Sequence, residues 1–149
     1  MSMINILPGV ESSAAALNAE RIRMEVISQN IANVNTTHGP DGKPYQRQQV
    51  VFETVLQQQQ QQDNPGGLAG SLQAVQVSRI ENDPSPPRML YNPAHPDANA
   101  QGMVAMPNIN VHSEMVDLIS ASRAFEANLA VVKNARAMAL QALGIGRRG

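Results

Sequence analysis

Two long stretches, one toward each end of the chain, contain neither proline nor glycine, although the 149 residues include ten of each. Residues 10–34 and 108–143 are therefore free of the two residues that interrupt helices, and all twenty lie outside them. Apolar residues recur in both stretches with the spacing of a helical seam. Val10, Leu17, Met24 and Ile31 follow one another every seven positions, and Ile27 and Val34 fall three further on. This is an a/d heptad pattern, interrupted by Ser13 and Glu20 at the first two d positions. The helix is expected to stop near Asn33 to Thr37, where Asn, Thr and Gly39-Pro40 collect.

The second stretch carries Val111, Met115, Leu118, Phe125, Leu129, Val132, Ala139 and Leu143, with Ser122 and Arg136 completing steps of four and three. Val116, Ile119, Val131 and Met138 widen the stripe, so this helix expects more than one neighbour. Gly144 and Gly146 mark its end, with Arg147 and Arg148 placed to interact with a helix C-terminus.

The middle is built differently. Tyr45–Glu53 and Leu72–Ile80 alternate loosely and are rich in strand formers, which predicts a β-hairpin. The six glutamines Gln57–Gln62 and the following Asp63-Asn64-Pro65-Gly66-Gly67 have no apolar face and read as its connection. Pro84, Pro86, Pro87, Pro93 and Pro96 exclude a regular helix or central strand from residue 83 to 97, which must run extended. The expected fold is mainly α with a small β region: long N- and C-terminal helices packed as a coiled-coil-like pair, with a middle β-hairpin and an extended Pro-rich segment. Three parts follow: residues 1–36, 37–107 and 108–149.

A lone two-helix seam, with two Phe, two Tyr and no Trp in the chain, buries too little to offset the ordering of its backbone. The helices are thus expected to complete their core against neighbouring subunits, with Val10, Leu17, Met24, Ile27, Ile31, Val34, Val111, Met115, Leu118, Phe125, Leu129, Val132 and Leu143 as the packing residues.

Charge and composition narrow the functions. A formal net charge of −1 supplies no electrostatic footprint for nucleic acid. Absent cysteine excludes disulfides and thiolate metal sites. No run approaches the ~20 apolar residues of a membrane span, and the polar helix faces mix Glu20 and Glu25 with Arg21 and Arg23, so no direct lipid binding is expected. Met1–Val10 lacks the charged and apolar regions of a cleaved secretory signal.

Sharper chemistry has little support. His95-Pro96-Asp97 matches the J-domain tripeptide, but the surrounding prolines remove the helix that must precede it. His95, Asp97, His112 and Glu114 could be drawn as a metal site, yet His112 and Glu114, two apart near a helix start, point in different directions. No nucleophile–base pattern or phosphate-cradling loop is present, so no enzyme activity, cofactor or metal is expected.

Ser28-Gln29-Asn30-Ile31-Ala32-Asn33-Val34-Asn35-Thr36-Thr37 resembles the N-terminal signature of the bacterial flagellar axial (rod and hook) proteins. Pro107-Asn108-Ile109-Asn110-Val111, Glu114-Met115-Val116 and Ala121–Asn128 resemble their shared C-terminal helix. Gly39–Tyr45, Gln49–Phe52, Tyr91-Asn92-Pro93 and Asp97–Val104 resemble the short proximal rod proteins of the basal body. Phe125 stands where relatives often have Tyr, and the glutamine tract departs from the family pattern. The resemblance implies a structural subunit that assembles with itself and other proximal and distal rod proteins, and meets the membrane-ring and export-gate junction. It further implies export through the flagellar type III apparatus without signal cleavage, and a rod that crosses the periplasm and transmits torque. Asn30, Asn33, Asn35 and Thr36 are expected to cap the helix end or to bond between subunits. Phe52 and Leu56 resemble a short export-gate pattern of axial subunits, but the pattern is loose and core strand positions are the better reading. From the residues alone, a soluble coiled-coil adaptor is the alternative.

Overall fold

The structure, a computed structural model, describes residues 7–57 and 72–146. Six elements follow in order: α1 (Leu7–Ala32), β1 (Gln48–Gln57), β2 (Leu72–Asn82), β3 (Arg88–Tyr91), β4 (Met103–Met106) and α2 (Val111–Gly146). Most of the glutamine tract, from Gln58, and Arg147 and Arg148 lie outside the described residues.

The helix boundaries differ most from those expected at the two starts. Helix α1 begins at Leu7 rather than after Gly9, because a proline in the first turn gives up an N–H that has no partner there anyway. Helix α2 begins three residues later than its proline- and glycine-free stretch. There Asn110 serves as N-cap, its side-chain Oδ1 accepting from the backbone N–H of His112 (3.1 Å) and Ser113 (3.4 Å). Helix α2 ends at Gly146, at the expected Gly144 and Gly146 stop. Helix α1 ends at Ala32, one residue ahead of the Asn33–Thr37 stretch where its stop is expected.

The two helices pack against each other, and the hairpin β1–β2 lies against α1. Asn30, near the end of α1, meets Glu114 in the first turn of α2, and Arg23, two turns earlier, lies 4.0 Å from Asp117. The helices are therefore antiparallel. Along α2 the burial pattern follows Val111, Glu114, Leu118, Ala121, Phe125, Asn128, Val132, Ala135 and Ala139, in steps of three and four. Along α1 it follows Ala16, Ala19, Arg23, Val26 and Asn30, with Ile27 beside them. Small residues hold several central positions because alanine lets helix axes approach closely, and the larger Leu17, Met24 and Ile31 fall half-buried along the flank.

Strands β1 and β2 pair antiparallel from Gln48↔Asn82 to Gln57↔Leu72. The register shifts between Val51↔Arg79 and Phe52↔Val77, leaving Ser78 as the extra residue of a bulge. The expected hairpin is present, with β1 starting three residues later than Tyr45. A second two-stranded sheet, β3–β4, was not legible from the alternation. Its first strand fits between Pro87 and Pro93, since a two-stranded sheet consists only of edges, where proline does no harm. Beyond β4, Pro107 and Ile109 are buried in the extended approach to α2. No described helix is long and apolar enough to cross a membrane.

Candidate functional site: a polar clamp and an exposed helix face

Two of the largest fully buried side chains are polar: Asn30 at 0% exposure and Glu114 at 1%. Asn30 has four hydrogen bonds. Its Nδ2 donates to the backbone carbonyl of Gln48 (2.8 Å) and to Glu114 Oε2 (3.1 Å). Its Oδ1 accepts from the backbone N–H of Gln48 (2.9 Å) and from the Tyr45 hydroxyl (3.1 Å). Both donors and both lone pairs of the amide are thereby used. Toward Gln48, the first residue of β1, the amide behaves as a neighbouring strand would, pairing with both its N–H and its C=O.

Glu114 completes the clamp from α2. Its other oxygen accepts from Arg47 Nε at 2.7 Å, a charge-assisted bond. Arg47 lies 3.5 Å from Asp83 through Nη1, and its backbone carbonyl accepts from the Asp83 N–H at 2.7 Å. Burial pulls the Arg47 guanidinium downward, but the hydrogen bond and charge of Glu114, with Asp83 and Asp117, outweigh it and raise its pKa. The Tyr45 hydroxyl is held above its ordinary value, by burial first and by Glu114 second. Hydrogen bonds from Ser85 hold the Asp83 carboxyl below the usual range; burial opposes them and Arg47 reinforces them. The clamp thus ties the end of α1, the entry to β1, the exit of β2 and the start of α2.

The Asn-rich turn divides its labour. Asn33 donates from Nδ2 to the carbonyl of Gln29 (2.9 Å) and accepts from Thr36 Oγ1 (3.1 Å), so it satisfies freed groups at the helix end. Thr36 also accepts through its carbonyl from the N–H of Tyr45 (3.0 Å). Asn30, by contrast, faces inward and is no cap. Asn35 is exposed, and Val34 is half-buried just beyond the helix.

His95 and Asp97 lie in the turn that precedes β4, where the Asp97 N–H donates to His95 Nδ1 (3.1 Å) and Asp97 Oδ2 accepts from Thr37 Oγ1 (2.7 Å). Both Glu114 oxygens are engaged by Asn30 and Arg47, so the structure does not bring it to His95 or Asp97. No metal-holding group of side chains exists among the described residues. Gly102 has φ +74°, and a Cβ there would come within 3.0 Å of Tyr91 and 3.1 Å of Pro93. Phe52 is 38% exposed in β1, opposite Val77; Leu56 pairs with Gln73 in register, but its side chain lies outside the described residues.

The packing candidates separate into two groups. Ile27 is buried, and Val10, Leu17, Met24, Ile31, Val111, Leu118, Phe125, Leu129 and Val132 are half-buried. Met115 is exposed because the α2 seam passes through Glu114 and Ala121 instead, one residue away from the Met115 and Ser122 positions, and Leu143 is exposed beyond the last half-buried seam residue, Ala139. Around the rest of α2, Val116, Ile119, Val131 (52%), Met138 (63%) and Ile145 also face outward. At about 100° per residue, Val116 and Ile119 lie on the side opposite the seam, and Val131, Met138 and Ile145 on its flank.

Family models match at both ends of the chain: "Flagella basal body rod protein" over residues 11–40, and "Flagellar basal body rod FlgEFG protein C-terminal" over residues 100–145. Flagellar basal-body rod protein FlgC of Borreliella burgdorferi is 40% identical over 149 residues, covering 95% of this chain and 98% of that protein. The FlgC proteins of Yersinia enterocolitica (39% over 147 residues; 99% and 100%) and Bacillus subtilis (39% over 146 residues; 91% and 94%) are similar to the same extent. The chain belongs to the flagellar basal-body rod protein family, FlgC type. The two rod-family segments include the two halves of the clamp, Asn30 in one and Glu114 in the other. Sequence patterning does not single out Tyr45, Arg47 or Asp83 for a role, and it brings Glu114 forward as a metal candidate and as part of the C-terminal signature, not as a clamp residue. The available signal is a carboxylate at a seam position of a helix, where it requires a partner.

Proposed function

We propose that the chain is a structural subunit of the proximal rod, packing with itself and related rod proteins into a shaft that crosses the periplasm and carries motor torque. Its work is mechanical: stiffness in shear from interlocked helices, with no reaction to catalyse. Residues 1–36 and 108–149 form the inner, axial part, and residues 37–107 the outer layer. The inner end meets the membrane-ring and export-gate junction, and the chain reaches the rod through the flagellar type III export apparatus. Phe52 and Leu56 are candidates for recognition at the gate.

The observation that carries this reading is the set of large apolar side chains left in solvent on α2, which no element among the described residues covers. Complementation tests it, with Val131→Asp and Met138→Asp introduced together into cells lacking their own copy of the gene. The wild-type chain is expected to appear in purified basal bodies and to restore swimming, and the double variant to be expressed without doing either. Normal swimming by the variant contradicts the packing assignment. A fixed-size, fully helical oligomer of the purified wild-type chain at micromolar concentration points to an adaptor instead.

A further inference from the structure

We infer that Asn30 and Glu114 are positioning residues that fix the orientation of the β1–β2 hairpin relative to the helix pair, so that the hairpin is set in place only when α1 and α2 are together. This rests on the rod-subunit reading and adds to it a route by which force on the outer layer reaches the inner helices.

Asn30 holds the first residue of β1 at both its N–H and its C=O, which fixes that residue in translation and in rotation about the strand. A single hydrogen bond leaves such a joint free to pivot; two to the same residue do not. The Asn30 amide is itself oriented from α2, because Glu114 Oε2 accepts from Nδ2 and distinguishes the nitrogen end from the oxygen end. Glu114 also holds Arg47, the residue immediately before the strand, and Arg47 in turn holds Asp83, immediately after β2. Both strands of the hairpin are therefore gripped at their base, by bonds spanning 18 to 84 positions of sequence.

Apolar packing does not do this by itself. Between the hairpin and the helices lies an open cleft of about 230 Å³, lined by Val26, Ile27, Val50 and Phe52 together with Arg23, Asn30, Gln49 and Asp117. Phe52 is exposed at its edge. A buried polar network is satisfied in one arrangement, a requirement that apolar contact does not impose.

The chain contains no cysteine, so introduced cysteines are unique attachment points for spin labels. One pair, Glu53→Cys with Glu25→Cys, reports the hairpin against α1; a second, Arg21→Cys with Arg123→Cys, reports the helices against each other. All four positions are exposed. Distances are measured in purified basal bodies, with labelled chain diluted by unlabelled. The unaltered clamp is expected to give one narrow hairpin distribution. Glu114→Ala and Asn30→Asp are expected to roughly double its width while the helix–helix distribution stays narrow. Tyr45→Phe, which spares both bonds to Gln48, is expected to leave both narrow. An unchanged hairpin distribution with Glu114→Ala overturns the inference. So does failure of both clamp variants to enter basal bodies at all, since the network is then a condition of folding rather than of orientation. Absence of the unaltered labelled chain from basal bodies contradicts the rod reading instead.

Discussion

The two ends of the helix pair solve opposite problems. Where α1 ends and α2 begins, polar side chains are buried with their partners in the same chain: Asn30 uses all four hydrogen-bonding positions, and Glu114 both oxygens. Toward the end of α2, Val131, Met138, Leu143 and Ile145 stand in solvent. The polar groups of the first end find their partners within a single copy, whereas the apolar side chains of the second are left largely uncovered by the described residues. Substitutions at the first end should therefore act on the subunit, and substitutions at the second on the assembly.

The contrast breaks if a charge in the closed region is tolerated. Ile27→Asp places a carboxylate at a position 5% exposed, and should cost at least about 4 kcal/mol by urea denaturation of the purified chain. Glu114→Ala leaves the Arg47 Nε–H and one Asn30 donor without their acceptor, for a loss of about 3 kcal/mol in the same measurement. A loss below about 1 kcal/mol there would mean that water replaces the carboxylate easily and the junction is looser than its burial suggests.

Gly102→Ala sharpens the comparison from outside both ends. Positive φ and the close approach of Tyr91 and Pro93 predict a loss of about 1–3 kcal/mol, seen as a lowered thermal midpoint. Met138→Ser should change the stability of the isolated chain by no more than about 0.5 kcal/mol, because its side chain is mostly in water already. The same variant should still reduce the number of rods per cell counted by electron microscopy.

The smallest effect concerns pH. The Asp83 carboxyl is lowered in the folded chain, so its contribution is present above the ordinary carboxylate range and is lost as pH falls through the lowered value. Asp83→Asn should make the acid side of a stability–pH curve slightly shallower. A steeper curve would reverse the sign of the assignment.

Much of this architecture could be read from periodicity. Long runs without proline or glycine and with apolar steps of three and four leave little alternative to helices, and Tyr45–Glu53 with Leu72–Ile80 signalled the hairpin. The second sheet was hidden because Arg88–Tyr91 and Met103–Met106 are each four residues long and almost free of alternation in burial. The α2 seam was displaced for a different reason: hydrophobicity points to Met115, whereas the buried position belongs to Glu114, whose charge looks unsuitable until Asn30 and Arg47 are beside it.

The sequence by itself determined that two helices bracket a β-containing middle and that their apolar surface exceeds what one pair can bury, since both follow from local spacing and composition. Only the tertiary structure decided which positions form the intrachain seam. It also revealed that Asn30 and Glu114, 84 residues apart, meet across it. The physical reason is that a buried polar side chain is defined by its partners, and those are brought together by the packing of distant segments rather than by anything in the neighbouring sequence.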